Sequence, residues 1–138
     1  MENGGRSMIH IIITSHGGLA EGLVQSSNML IGEQGNVECI TFAPDMGVEE
    51  LDELYAAKIT GASDENQYLI LCDIKGGTPF NVVSRYSFKN DNIAVIYGVN
   101  LPILVAALLE AQDEGVTLAG LTESLQQQFN ETIGVSEI

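Results

Sequence analysis

The chain is 138 residues long, a length that fits one domain able to bury roughly 70% of the surface its unfolded form would expose. Nineteen Asp and Glu against five Lys and Arg leave a net charge of −14, which argues against nucleic acid and anionic membranes as partners, because both are bound through basic patches. Such a surface serves solubility or a basic protein partner; no apolar run nears the ~18 residues of a membrane span and the opening MENGGRS has no signal core, so the sequence reads as cytoplasmic.

Residues 1–7 read as an N-terminal extension or cloning scar, with Met8 as the natural start and 8–138 as one domain. MIHIIITS (about 8–15) is a β-branched run too short for a buried helix and is expected to be a buried strand, with His10 packed inside it. Leu19, Ala20, Leu23, Val24, Leu30 and Ile31 recur at helical spacing, and Gly32 follows as a stop. NVECITF (about 36–42) is a second strand; after Pro44-Asp45-Met46-Gly47, residues Val48, Leu51, Leu54, Tyr55 and Ile59 mark a second helix with acidic first turns. QYLILCD (about 67–73) is the third strand, followed by Lys75-Gly76-Gly77-Thr78 and a helix opening near Pro79, a residue suited to a first helical turn. NIAVIYG (about 92–98) is the fourth strand; helices follow over about Leu101 to Ala111 and Leu118 to Phe129. Cys39 and Cys72 sit inside apolar strands and read as small core residues of a reducing compartment.

Strands separated by helices imply a parallel sheet with right-handed crossovers. The expected architecture is α/β: an open, mostly parallel four-stranded sheet in flavodoxin-like order 2-1-3-4 with helices on both faces, and room for a short fifth strand in the tail TIGVSEI. In that order the chain reverses direction between strands one and three, and ligands of open α/β sheets sit at such a switch point, beyond the carboxyl ends of the strands. The expected site is therefore built from Thr14-Ser15-His16-Gly17-Gly18 and Asp73-Ile74-Lys75-Gly76-Gly77-Thr78.

Those loops suit a phosphoryl group. Gly17, Gly18, Gly76 and Gly77 remove side chains and let a ligand approach the backbone. The first N–H groups of the two following helices favour an anion, and Thr78 adds a hydroxyl. An imidazole attacks phosphorus through an unprotonated nitrogen, so a carboxylate such as Asp73, accepting the proton on the other nitrogen, would fix the tautomer of His16 and stabilise the developing positive charge. In-line positioning and neutralised phosphoryl oxygens are the main needs of such a transfer. No GxxxxGK[ST], no GxGxxG and no carboxylate cluster beyond Asp73 is present, so neither a cofactor nor a metal is expected. Lys75 and Arg85 lie near enough in sequence to touch a phosphoryl group, but the plainer reading of both is solvation.

Four segments carry a resemblance: HGGLAEGL (16–23), SNMLIGEQGNV (27–37), DIKGGTPFN (73–81) and YGVNLPILV (97–105). Over about residues 8–115 they resemble, in order and spacing, the enzyme IIA domain of the mannose-type (mannose/fructose/sorbose) phosphoenolpyruvate-dependent sugar phosphotransferase system. The resemblance implies a Rossmann-like fold and a homodimer in which a C-terminal strand is exchanged, a role that would fall to the segment after Phe129. It implies His16 as the phosphorylated histidine, Asp73 as its orienting carboxylate and Thr78 as a hydroxyl near the phosphate. It also implies phosphotransferase activity, with the phosphocarrier protein HPr as donor, a IIB domain as acceptor and a membrane permease downstream in sugar uptake. Three other readings remain open: the phosphotransfer subunit feeding dihydroxyacetone kinase, a non-catalytic flavodoxin-like module binding FMN or another anion at the same switch point, and a regulatory domain in which phosphorylated His16 is a signal. The Gly-Gly-Thr-Pro-Phe-Asn block favours the sugar branch over the first, and the absence of Trp weighs against a stacked flavin.

Overall fold

A computed structural model describes residues 8–138; the proposed extension at 1–7 lies outside them. The elements alternate as β1 (Met8–His16), α1 (Leu19–Ile31), β2 (Val37–Phe42), α2 (Val48–Ile59), β3 (Asn66–Cys72), α3 (Thr78–Lys89), β4 (Ile93–Tyr97), α4 (Leu101–Glu110) and α5 (Leu118–Gln128). The four strands form one parallel sheet in the order β2-β1-β3-β4, the order expected from the sequence.

β1 and β3 hold the two central places, so helices cover both of their faces and both read as near-continuous apolar runs. The twofold alternation of side chains splits β1 between two cores. Ile9, Ile11 and Ile13 join Leu69, Leu71, Leu104, Leu108 and Leu121 on the side of α1, α4 and α5. Ile12 joins Ile70, Leu51, Tyr55, Ile59 and Val83 on the side of α2 and α3. One buried polar contact crosses the second core: Thr14 Oγ1 and Tyr55 Oη lie 2.6 Å apart. It satisfies two hydroxyls that would each be costly to bury alone.

The cysteines are free thiols. Cys72 is wholly buried, and burial, with the nearby Asp73 charge, pushes its thiol up to about 12. Cys39 is half-buried and raised by burial and then by Glu21. His10 is a packed residue, as expected: its ring stacks on Tyr68 at 4.9 Å, and its Nε2 lies 2.5 Å from Asn66 Oδ1. Both contacts are at the amino end of the sheet, away from the switch point.

The tail departs from expectation. Among the described residues the possible fifth strand is not formed; Phe129–Glu131 is a 3-10 turn, and no strand follows it. The chain is turned there by Thr132, whose N–H and hydroxyl both donate to the Phe129 carbonyl, at 3.2 and 2.8 Å. Asn100 Nδ2 in turn donates to Thr132 Oγ1 at 2.9 Å, tying the turn to the start of α4. Side chain-to-backbone bonds of this kind compete with a sheet ladder for the same backbone. Among the described residues, the outer edge of β4 is unpaired.

Candidate functional site

β1 ends in His16 and β3 ends one residue before Asp73. The parallel register pairs Thr14 with Cys72, so the ends of the two strands stand side by side and the side chains that follow meet. One carboxylate oxygen of Asp73 accepts twice from His16: from the backbone N–H at 2.8 Å and from ring Nδ1 at 2.7 Å. The other oxygen accepts from the Ile74 N–H at 2.8 Å. Burial opposes ionisation of Asp73, but the bonds from the His16 backbone, the His16 ring and Ile74 outweigh it and hold the carboxyl below its usual range. An ionised carboxylate has no proton to give, so Nδ1 is the donor and carries the ring proton. In the neutral ring, Nε2 is then the nitrogen with the free lone pair.

The side chain of His16 is half exposed, at 49%, whereas that of Asp73 is only 11% exposed. The arrangement is an imidazole open to solvent, held from behind by a sheltered carboxylate. Phe42, the last residue of β2, adds a third side. Its ring meets the imidazole edge-on at 5.7 Å, and its carbonyl accepts from Gly17 N–H at 3.0 Å.

Two helix N-termini border the ring. Gly18 is the N-cap of α1 and Gly77 that of α3. Gly17 and Gly76 turn the chain into the helices with φ of 58° and 83°, a region that side chains disfavour. Gly77 needs no such freedom, with φ of −78°; what it supplies is space. A Cβ there would stand 2.9 Å from His16 Cε1, 2.9 Å from Ile74 Cγ2 and 3.7 Å from His16 Nε2. Thr78 is the first residue of α3 and follows directly. Ser15 is buried and accepts from Ala20 N–H at 2.8 Å, replacing the side-chain cap that Gly18 lacks. Asn81 braces the second turn by donating from Nδ2 to the Gly76 carbonyl at 3.1 Å.

The residues expected at the site from the sequence, His16, Gly17, Gly18, Asp73, Gly76, Gly77 and Thr78, thus lie in or directly beside the two loops that meet at the switch point. Ser15 and Phe42 have roles that the sequence alone does not assign. The signal for Phe42 is the strand order itself, because order 2-1-3 puts the end of β2 beside the end of β1. Lys75 is not simply solvated: its ammonium lies 5.5 Å from the centre of the Tyr97 ring, and Phe80 packs edge-on to the same ring at 5.8 Å. Among the described residues, no group of three or more His, Cys, Asp or Glu is placed to hold a metal ion, and no helix is long and apolar enough to cross a membrane.

Known proteins resemble this chain in sequence and in fold. Residues 10–126 match the family model described as the fructose IIA component of the phosphotransferase system (PTS). The fructose-specific EIIA component of Bacillus subtilis is 32% identical over 128 residues, covering 93% of this chain and 86% of that protein. The mannose-specific EIIAB component of Escherichia coli K12 is 41% identical over 106 residues, or 77% of this chain; the match spans only 33% of that longer protein. A phosphotransferase system component EIIA from Streptococcus agalactiae superimposes with a TM-score of 0.83 at 29% identity, over 93% of this chain and 97% of that one. A mannose/sorbose-specific IIA subunit from Enterococcus faecalis does so with 0.82 at 26% identity, over 95% and 96%. The chain belongs to the mannose-type EIIA family of the sugar phosphotransferase system.

Proposed function

We propose that the protein is a cytoplasmic phosphoryl carrier that receives its group on His16 Nε2 from phosphorylated HPr and passes it to a IIB domain. The observation that carries this reading is the pair of bonds from His16 to a single oxygen of Asp73, at 2.8 and 2.7 Å, which leaves Nε2 as the open, unprotonated nitrogen.

In the forward step the P–N bond of the donor phosphohistidine breaks as the Nε2–P bond forms. No proton has to leave His16, because the Nδ1 proton stays on the ring, and Asp73 stabilises the positive charge that develops there. Donors for the three phosphoryl oxygens come from the turns at Gly17-Gly18 and Gly76-Gly77, from the first N–H groups of α1 and α3, and from the Thr78 hydroxyl. The reverse step, with a IIB histidine or other nucleophile attacking, uses the same contacts and delivers the group toward a membrane permease. The half-exposed ring supports transfer between proteins, since a partner's nucleophile must reach phosphorus in line. The same reading includes a homodimer, supported by the exposed apolar tail residues Ile133, Val135 and Ile138 and the unpaired edge of β4.

Phosphorus NMR of the phosphorylated protein tests the assignment, because the two ring nitrogens give distinct phosphohistidine resonances. The expected spectrum is that of Nε2-phosphohistidine, lost on mixing with a cognate IIB domain. Phosphorylation at Nδ1 would contradict the orienting role of Asp73.

A further inference from the structure

Lys75 departs from the solvated role its sequence position suggests. The other cations among the described residues lie elsewhere. Lys58 is paired with Glu38 at 3.2 Å, Lys89 closes the last turn of α3, and Arg85 lies in the second half of that helix. The loops at the carboxyl ends of the strands cover 17–18, 43–47, 73–77 and 98–100, and among them only the third carries a cation, Lys75. In a chain of net charge −14, the one positive side chain that the described residues place in the loops at this end of the sheet sits two residues from Gly77.

Reach can be bounded from the chain itself. Consecutive Cα atoms are 3.8 Å apart, and a Cβ on Gly77 would stand 3.7 Å from His16 Nε2. His16 Nε2 is therefore no more than about 13 Å from the Cα of Lys75, and the turn closed by Gly77 N–H to the Ile74 carbonyl at 3.4 Å shortens that span. A lysine's flexible four-carbon stem carries its ammonium about 6 Å from Cα, and the reach of the phosphoryl oxygens from Nε2 together with a hydrogen-bond distance of about 3 Å can span most of what remains. The ammonium now lies over Tyr97, a residue 51% exposed. A cation over an exposed ring is held only a few-fold in equilibrium, so a dianion within reach outcompetes it. The backbone N–H donors at the pocket carry no net charge, and Asp73 beside them is negative, so the dianion otherwise lacks a counter-charge.

We infer that Lys75 is the counter-ion of the phosphoryl group on His16, parked on Tyr97 while the histidine is free and transferred to the phosphoryl oxygens once it is modified. The inference rests on His16 being the phosphorylated residue, and it concerns a contact to the group being carried, beyond the orienting role of Asp73.

The test uses potassium phosphoramidate, which phosphorylates histidine without any partner protein and so separates this inference from the identity of the physiological donor. In the wild-type protein the side-chain methylene protons of Lys75 should be shifted upfield by the Tyr97 ring current and should lose that shift on phosphorylation of His16. Lys75→Gln should be phosphorylated about fivefold more slowly, and Lys75→Arg should recover most of the rate, which a purely structural role would not explain. Tyr97→Leu should abolish the upfield shift in the unmodified protein and leave the resonances where the phosphorylated wild type has them. Lysine resonances that stay in place on phosphorylation, or a Lys75→Gln rate equal to wild type, would overturn the inference. If phosphoramidate modifies His16 but HPr does not, the proposed donor is wrong and the Lys75 result still stands.

Discussion

Replacing Asp73 by asparagine is expected to slow phosphorylation of His16 by about 100-fold, the lower range of what a positioned proton-holding group contributes. Asparagine keeps the size of the side chain and an oxygen for the Ile74 or His16 N–H. It removes the charge, and its amide nitrogen competes as a donor with the two N–H groups that now share one oxygen. The proton on His16 is then free to move to Nε2, which removes the nucleophile, and the positive charge that forms on the ring loses its partner. Single-turnover phosphorylation by phospho-HPr measures the effect; a rate within twofold of wild type would contradict the role of the carboxylate.

The same variant carries a stability signature whose sign is fixed. The folded-state pKa of Asp73 is depressed, so its ionised form contributes stability above the unfolded value of about 3.9, and that contribution is lost as pH falls through the folded value. Asp73→Asn should therefore be less stable than wild type near neutrality, with the difference shrinking below about pH 4. Urea unfolding across that range reads it directly. A gap that widened in acid would be the wrong sign.

The second large effect belongs to Gly77. The backbone there is extended, with φ −78° and ψ 173°, so alanine is conformationally permitted. Its methyl would stand 2.9 Å from both His16 Cε1 and Ile74 Cγ2, closer than carbon atoms approach without one of them moving. The imidazole is held by Asp73 on one side and faced by Phe42 on another, so the ring is displaced from its bonds to Asp73 or the turn carrying Thr78 shifts. A misplacement of this order is worth up to about 100-fold in a positioned reaction, and Gly77→Ala is expected to lose roughly that much phosphorylation rate while the far-ultraviolet circular dichroism stays that of the wild type. Gly22 is the control: it lies within α1, where an added methyl would meet nothing within 4 Å, and Gly22→Ala should phosphorylate at the wild-type rate.

These effects bear on what is legible in the sequence. The four strands can be read because β1 and β3 are central strands, and their burial on both faces leaves unbroken runs such as Ile11-Ile12-Ile13 and Leu69-Ile70-Leu71. The order 2-1-3-4 is one of the common orders that alternation of strand and helix suggests, and it places His16 beside Asp73 across 57 positions of chain. The glycines are legible as a type but not in their reasons. Gly17 and Gly76 serve a positive φ, Gly77 serves the space beside an imidazole, and composition does not tell these apart. The edge-on packing of Phe42 and the perch of Lys75 on Tyr97 depend on how ends of different strands lean toward each other, which no local pattern records. The tail misleads for a related reason. TIGVSEI carries a strand-like share of apolar residues, yet the bonds of Thr132 to Phe129 and Asn100 decide its course, and Asn100 lies 32 positions earlier.

The central claim is that His16 carries the phosphoryl group, and intact-mass analysis after incubation with phosphoenolpyruvate, enzyme I and HPr tests it most directly. Wild type, His10→Ala and His16→Ala are run side by side, His10 being the histidine bonded to Asn66 at the other end of the sheet. The predicted result is one acid-labile phosphoryl group on wild type and on His10→Ala and none on His16→Ala. Unmodified wild-type protein that is demonstrably folded, or a phosphoryl group that persists in His16→Ala, would contradict it.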